Sequence, residues 1–198
     1  MRYKLLVSLL FSPFILFSQE IKFSNTIGYA VTETEDVKKI ALCTGINAGF
    51  ELPLKKGLYI TISAGGFLLR FNYNSAANNS VFNSKYFFSM PVSLKKYYPV
   101  SRQSRAYWCF GIFPGYQFYD KKEIRSFSGN STETKRSLGF NFGCIASVGF
   151  KTIINSRMSF DIGLLAQTDY FFSYKKKQDK TKTDQRLLSL SLHRKLRK

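Results

Sequence analysis

From Ile40 to Leu52 the chain alternates between two unlike sets of side chains. Ile40, Leu42, Thr44, Ile46, Ala48, Phe50 and Leu52 form one set, and Ala41, Cys43, Gly45, Asn47, Gly49 and Glu51 form the other. A period of two places successive side chains on opposite faces of a strand. One face here is oily. The other is small or polar and ends in a carboxylate. A sheet in water turns its polar face to solvent, and a face holding this much glycine and alanine makes a poor solvent surface. A strand that crosses a bilayer has the opposite need: lipid on the oily side and a narrow, polar interior on the other.

The pattern recurs along the chain. Eight strands are predicted: Ile21 to Val31, Lys39 to Leu52, Leu58 to Phe71, Lys85 to Tyr98, Arg105 to Tyr119, Leu138 to Phe150, Met158 to Phe172 and Leu188 to Leu196. In the third, the oily set Leu58, Ile60, Ile62, Ala64 gives way at Gly65-Gly66, after which Phe67, Leu69 and Phe71 are expected to face lipid across a β-bulge. Pro91 sits inside the fourth and removes a ladder donor there. The fold class expected is all-β, an antiparallel up-and-down transmembrane β-barrel of about eight strands. A barrel of that size is just wide enough for side chains to fill it, which argues against a general porin.

Connection lengths point the same way. With a periplasmic N-terminus, Pro53 to Gly57, Pro99 to Ser104 and Lys151 to Arg157 are short inner turns. Thr32 to Lys38, Asn72 to Ser84, Asp120 to Ser137 and Ser173 to Leu187 are outer loops, rich in Asn, Ser, Thr, Lys and Gly. Aromatics gather at both ends. Phe71, Tyr73, Tyr86, Tyr116, Phe118, Tyr119, Tyr170, Phe171, Phe172 and Tyr174 lie at the outer end, and Tyr97, Tyr98, Tyr107 and Trp108 at the inner end, as two girdles would.

Residues 1–18 are expected to be a cleaved signal peptide, with residues 19–198 as the outer-membrane barrel domain. Arg2 and Lys4 form the positive start, Leu5 to Phe17 the apolar run, and Ser18 the last residue before the cut. The run is short for a helical span of ~20 residues. The formal charge is +18; removing Arg2 and Lys4 with this segment leaves +16. Export excludes nucleic acid as the natural partner and favours outer-membrane lipids and lipopolysaccharide. Lys175, Lys176, Lys177, Lys180 and Lys182 form the densest run of cations. They are either a solvated loop tip or contacts to surface phosphate.

The stretch from Tyr86 through Met90-Pro91-Val92 to Tyr97-Tyr98, then Tyr107 to Gly111 and Pro114-Gly115-Tyr116, resembles the PorT-like outer-membrane β-barrel proteins of Bacteroidetes, as does Gly139-Phe140-Asn141-Phe142-Gly143. The resemblance implies an outer-membrane barrel without catalytic residues. One departure is the end of the chain, Leu196-Arg197-Lys198, where such barrels carry an aromatic residue.

No catalytic, cofactor or metal set stands out, so no cofactor is expected. His193 is the only histidine, which leaves no histidine cluster for zinc. With Ser189 or Ser191 it could form a Ser-His site, but it falls near the periplasmic end, and a polar lumen residue is the plainer reading. Cys43 and Cys109 face inward and Cys144 faces lipid; a Cys43–Cys109 bridge and three unpaired small fillers are both open readings. Glu51, Arg70, Lys95, Asp161, Asp169 and Lys195 are expected to form an ion-pair network in the lumen, because buried charges need partners. The function expected is that of a small, monomeric, non-enzymatic barrel with a structural, secretion-accessory or surface-interaction role, possibilities including secretion or surface proteins as partners. The alternatives are a lipid-modifying outer-membrane enzyme, of lipid A hydrolase or acyltransferase type, and a soluble lipocalin-like binder.

Overall fold

The computed structural model of the protein describes residues 20–34, 37–74, 79–126, 129–173 and 180–196. The predicted signal segment, 1–18, lies outside them. Every described element is a strand: β1 (Glu20–Thr34), β2 (Val37–Lys55), β3 (Leu58–Asn74), β4 (Ser80–Ser89), β5 (Val92–Pro99), β6 (Ser104–Ser126), β7 (Gly129–Ile153), β8 (Met158–Ser173) and β9 (Lys180–Lys195). All pairings are antiparallel; β4 and β5 each pair with β3 and β6, the other strands pair with their neighbours in the chain, and β1 pairs with β9, which closes the sheet.

β4 and β5 act as two halves of one barrel strand. Both lie between β3 and β6. The break falls at Met90-Pro91, where the missing proline N–H interrupts the ladder. The neighbours still use the free groups, with Ser63 N donating to Pro91 O at 2.9 Å and Met90 N donating to Pro114 O at 2.9 Å. The barrel therefore has eight staves, as the sequence predicts.

Its stagger follows from the pairings. Partners traced from Glu20 run through Glu51, Thr61, Ser93, Gly111, Ile145, Gln167 and Gln185, and return to β1 at Ala30, ten residues farther along. Eight strands with that stagger tilt by about 40° and leave a backbone radius of about 8 Å. Side chains can fill such a barrel.

The exterior is oily at mid-strand. Ile46 is 71% exposed, Leu164 66% and Phe110 57%, although all are large apolar residues. Only lipid makes such a belt favourable. Short turns mark the periplasmic end. They are Lys56–Gly57, Val100–Gln103 and Ile154–Arg157. Gly57 adopts φ +70° in the first, a conformation that suits glycine. In the third, Asn155 Oδ1 accepts from Arg157 N at 2.9 Å and from Met158 N at 2.8 Å.

Three expectations are corrected. The long outer loops are largely strand: residues 32–34, 37–38, 72–74, 80–84, 120–126, 129–137 and 180–187 all lie in the sheet. β6 and β7, of 23 and 25 residues, outrun the ~9–11 residues a bilayer needs and continue as a hairpin beyond it. Polar, threonine-rich segments can pair once neighbouring strands template them. No bulge occurs at Gly65-Gly66 either. The β2–β3 register runs unbroken from Ala41↔Phe71 to Pro53↔Tyr59. Phe67, Leu69 and Phe71 therefore stay on the inward face with Thr61 and Ser63, and Arg70 points outward. Finally, Tyr97 and Tyr107 are buried inside the barrel and belong to no girdle. Tyr98 and Trp108 do face out, joined by a Trp108 Nε1–H to Tyr98 Oη hydrogen bond of 3.1 Å.

The filling of the lumen explains the corrected phase of β3. Its outer part is an apolar plug of Ala30, Ala41, Cys43, Leu69, Phe71, Phe87 and Leu187. The Phe67 and Phe87 rings stack beside it at 4.5 Å. At this level the inside is as oily as the outside, so hydrophobicity no longer tells the two faces apart.

Candidate functional site

Below the plug the lumen turns polar. Each stave contributes at least one side chain to a layer at the periplasmic end. β1 provides Glu20 and Lys22, β2 Glu51, β3 Tyr59, β5 Lys95 and Tyr97, β6 Tyr107, β7 Lys151, β8 Asp161 and β9 His193. The strands are tilted, so these residues come from different points along their strands and still reach one level.

Lys95 is the centre of this layer. Its Nζ lies 3.0 Å from Glu51 Oε1 and 2.7 Å from Asp161 Oδ2, and all three side chains are closed to solvent. It also stands over the Tyr107 ring at 4.0 Å and the Tyr97 ring at 4.8 Å. The aromatic faces add cation–π attraction to the two ion pairs. Tyr97 Oη donates to Glu51 Oε2 at 2.9 Å. Lys151 forms a second centre. Its Nζ contacts Glu20 Oε2 and lies 3.4 Å from Glu51 Oε2 and 3.3 Å from His193 Nδ1. His193 Nδ1 also lies 3.4 Å from Glu20 Oε2, and its Nε2 lies 3.0 Å from Asp161 Oδ2.

Three carboxylates, Glu20, Glu51 and Asp161, thus share the layer with three lysines: Lys95 and Lys151 pair with them directly, and Lys22 lines the cavity beside Lys95. The layer balances its own charge, as a buried cluster must. Above it a polar cavity of about 60 Å³ is lined by Lys22, Asn47, Thr61, Ser93, Lys95 and Ser147, among others. That is room for a few waters and not for a channel.

Glycines make the layer fit. Tyr107 Oη occupies the space that a Cβ on Gly163 would take, and a Cβ on Gly149 would come within 2.7 Å of it. The small residues of β7 and β8 are the slot for the tyrosine of β6.

Of the six residues predicted for the network, Glu51, Lys95 and Asp161 meet. Arg70 does not join them, since it lies on the outward face of β3. Lys195 is exposed beyond the layer, with its backbone N donating to Arg157 O at 2.8 Å. Asp169 pairs through its backbone with Thr183 and Gly143, and its side chain lies outside what is described. The layer also holds Glu20, Lys22, Lys151, Tyr97 and His193, which the predicted network lacks. Alternation would have found Lys151 and Glu20 had β7 and β1 been extended by one residue each.

Glu20, Glu51 and His193 could offer ligand atoms within 4.8 Å of one another. The ammonium of Lys151 stands among these same atoms and supplies the positive charge a metal ion would bring. Among the described residues no hydrogen bond joins His193 to a serine, and its ring is wholly buried. None of the three cysteines forms a disulfide among the described residues; Cys43 Sγ donates to Gln185 Oε1 at 3.2 Å. Lys175, Lys176 and Lys177 lie outside the described residues. Lys180 opens β9, and Lys182 Nζ lies 3.3 Å from Asp184 Oδ2.

A closed antiparallel barrel with an oily belt and a filled polar lumen defines a small outer-membrane β-barrel. Among the solved structures that this chain is similar to, one shows the same fold. The outer membrane protein OprG from Pseudomonas aeruginosa superimposes with a TM-score of 0.54 at 13% identity, covering 91% of this chain and 97% of its own. Neisserial surface protein A gives 0.49 at 12%, covering 90% and 98%. The Escherichia coli outer membrane protease OmpT gives 0.46 at 8%, covering 90% and 97%. At these identities the likeness concerns the fold alone. The chain matches no family model and no curated protein.

Proposed function

We propose that the protein is a closed, monomeric, non-catalytic barrel of the PorT-like kind. Its role is structural, secretion-accessory or surface-binding, and residues 1–18 serve as its export signal. The observation that carries this reading is the lumen. Between an apolar plug and a charge-balanced layer the described residues enclose a cavity of about 60 Å³. Nothing of substrate size enters, and the polar groups there neutralise one another. Contact with other molecules falls to the outer ends of the strands, above all the hairpin of β6 and β7, and to the lipid-facing wall. Outer-membrane lipids, lipopolysaccharide and secretion or surface proteins are the partners this leaves.

Two measurements on the full-length protein test the reading. Reconstituted in planar bilayers, it should give no steady ion conductance. Lipid A from cells with and without the protein should have the same mass spectrum. A steady conductance would remove the closed barrel. A changed spectrum that reverts with His193→Ala would remove the non-catalytic role.

A further inference from the structure

The lipid-facing wall carries a cation that no ion pair among the described residues neutralises, Asp184 acting on it only through a longer-range attraction. Arg186 lies on the outward face of β9, level with Tyr29 on β1 and Ala166 on β8. The residues that follow it on that face, Leu188, Leu190 and Leu192, are ordinary lipid-facing leucines. An arginine at this position is unfavourable against hydrocarbon unless an anion meets it or it reaches water. The nearest acid on its strand, Asp184, is engaged by Thr168 Oγ1 at 2.7 Å and by Lys182 Nζ at 3.3 Å. The described hydrogen bond of Arg186 goes from Nη1 to the carbonyl of Gln185 at 3.1 Å, and no described ion pair includes it.

Beside Arg186 runs a groove of about 700 Å³. Its outward lining includes Tyr29, Leu188, Ala166, Leu164, Val148 and Trp108. It crosses five strands, from Tyr29 on β1 through β9, β8 and β7 to Trp108 on β6. Four strand spacings make about 19 Å, comparable to a lipid acyl chain. Ala166 and Ala146 lower its floor between larger neighbours. The oily trough ends, on the outer side of the barrel, at an arginine whose Nε and Nη2 make no described hydrogen bond. Guanidinium groups match phosphate oxygens in that geometry.

We infer that Arg186 and this groove form a binding site for one phosphorylated lipid of the outer leaflet, with phosphate on the guanidinium and an acyl chain along the trough toward Trp108. The inference rests on the barrel's place in the membrane and is independent of its being non-catalytic.

Native mass spectrometry of the full-length protein, refolded and then incubated with bisphosphorylated lipid A, tests it. The wild type should retain one lipid A. Arg186→Gln should lower retention roughly tenfold, the loss of one strong charge-assisted contact. Ala166→Leu keeps the arginine, fills the trough and should lower it as well. Lipid A stripped of phosphate should be held by the wild type no better than by Arg186→Gln. Folding of each variant is read from its heat-dependent gel shift. If Arg186→Gln does not fold, the phosphate dependence of the wild type decides. Equal retention by wild type and Arg186→Gln, or retention that ignores the phosphate, would overturn the site.

Discussion

Lys95 Nζ lies 2.7 Å from Asp161 Oδ2 inside the barrel, with both side chains closed to solvent. The two residues are on β5 and β8, so the pair reaches across the lumen and ties non-adjacent staves together. Glu51 on β2 completes the bridge from a third direction. Removing the cation leaves two buried carboxylates without their common partner. Lys95→Met should therefore cost about 3–5 kcal/mol. Urea unfolding from lipid vesicles measures this, with the emission of Trp108, the only tryptophan, as reporter. Lys96→Met, whose ammonium reaches Lys56 O at 2.8 Å on the exterior, should change the stability by less than about 1 kcal/mol. Equal losses in the two variants would show that the lumen pair has no special weight.

The slot for Tyr107 yields a second prediction. A methyl group on Gly163 would overlap the Tyr107 hydroxyl. Gly163→Ala should destabilise the barrel by about 1–3 kcal/mol, the usual cost of overfilling a tight interior. Tyr107→Phe removes the conflicting oxygen, so the double variant should recover much of that loss. The same urea titration reads both. If Tyr107→Phe gave no recovery in the Gly163→Ala background, the glycine would be needed for some reason other than this ring.

How far the sequence could be read differs between the two ends of the barrel. On β2, β7 and the inner part of β9, large apolar residues alternate with small or polar ones, and alternation assigns every face correctly. The same rule fails on β3 beyond Gly66. There the lumen holds the apolar plug, so Phe67, Leu69 and Phe71 lie inside while Leu68 meets lipid. With oily residues on both faces, hydrophobicity loses its direction, and the error carried Arg70 into the predicted network. Residues far apart in sequence, such as Glu20 and Lys151, meet only because of the ten-residue stagger, which no local pattern reveals. Strand ends posed the third difficulty. Polar segments that look like loops were held as strands by their neighbours, and Gln185, Arg186 and Leu187 were missed with them.

The phase of β3 can be tested directly. Phe67→Cys and Leu68→Cys, each in a chain with Cys43, Cys109 and Cys144 replaced by serine or alanine, give single labelling sites. A fluorophore attached through Leu68→Cys should be quenched by brominated lipid. The same probe through Phe67→Cys should be shielded, because that side chain points inward beside Phe87. The reverse result would restore the bulge at Gly65-Gly66.

Lys151 gives the last prediction, since it occupies a place a metal ion could take. Its Nζ is 3.3 Å from His193 Nδ1 and 3.4 Å from Glu51 Oε2 and contacts Glu20, the same three residues whose atoms lie within 4.8 Å of one another. Imidazole with two carboxylates is a zinc-compatible set once the ammonium has gone. For the wild type, neither zinc nor chelator should move the unfolding midpoint. Lys151→Ala should lose about 3 kcal/mol or more, because Glu20 and Glu51 lose a buried partner. Zinc should then restore part of that loss in the variant, by about 2.7 kcal/mol when it is present at a hundredfold excess over its dissociation constant. Equal stabilisation of the wild type by zinc would mean that the ammonium does not hold the site, and that the layer is a metal centre instead of a self-neutralised plug.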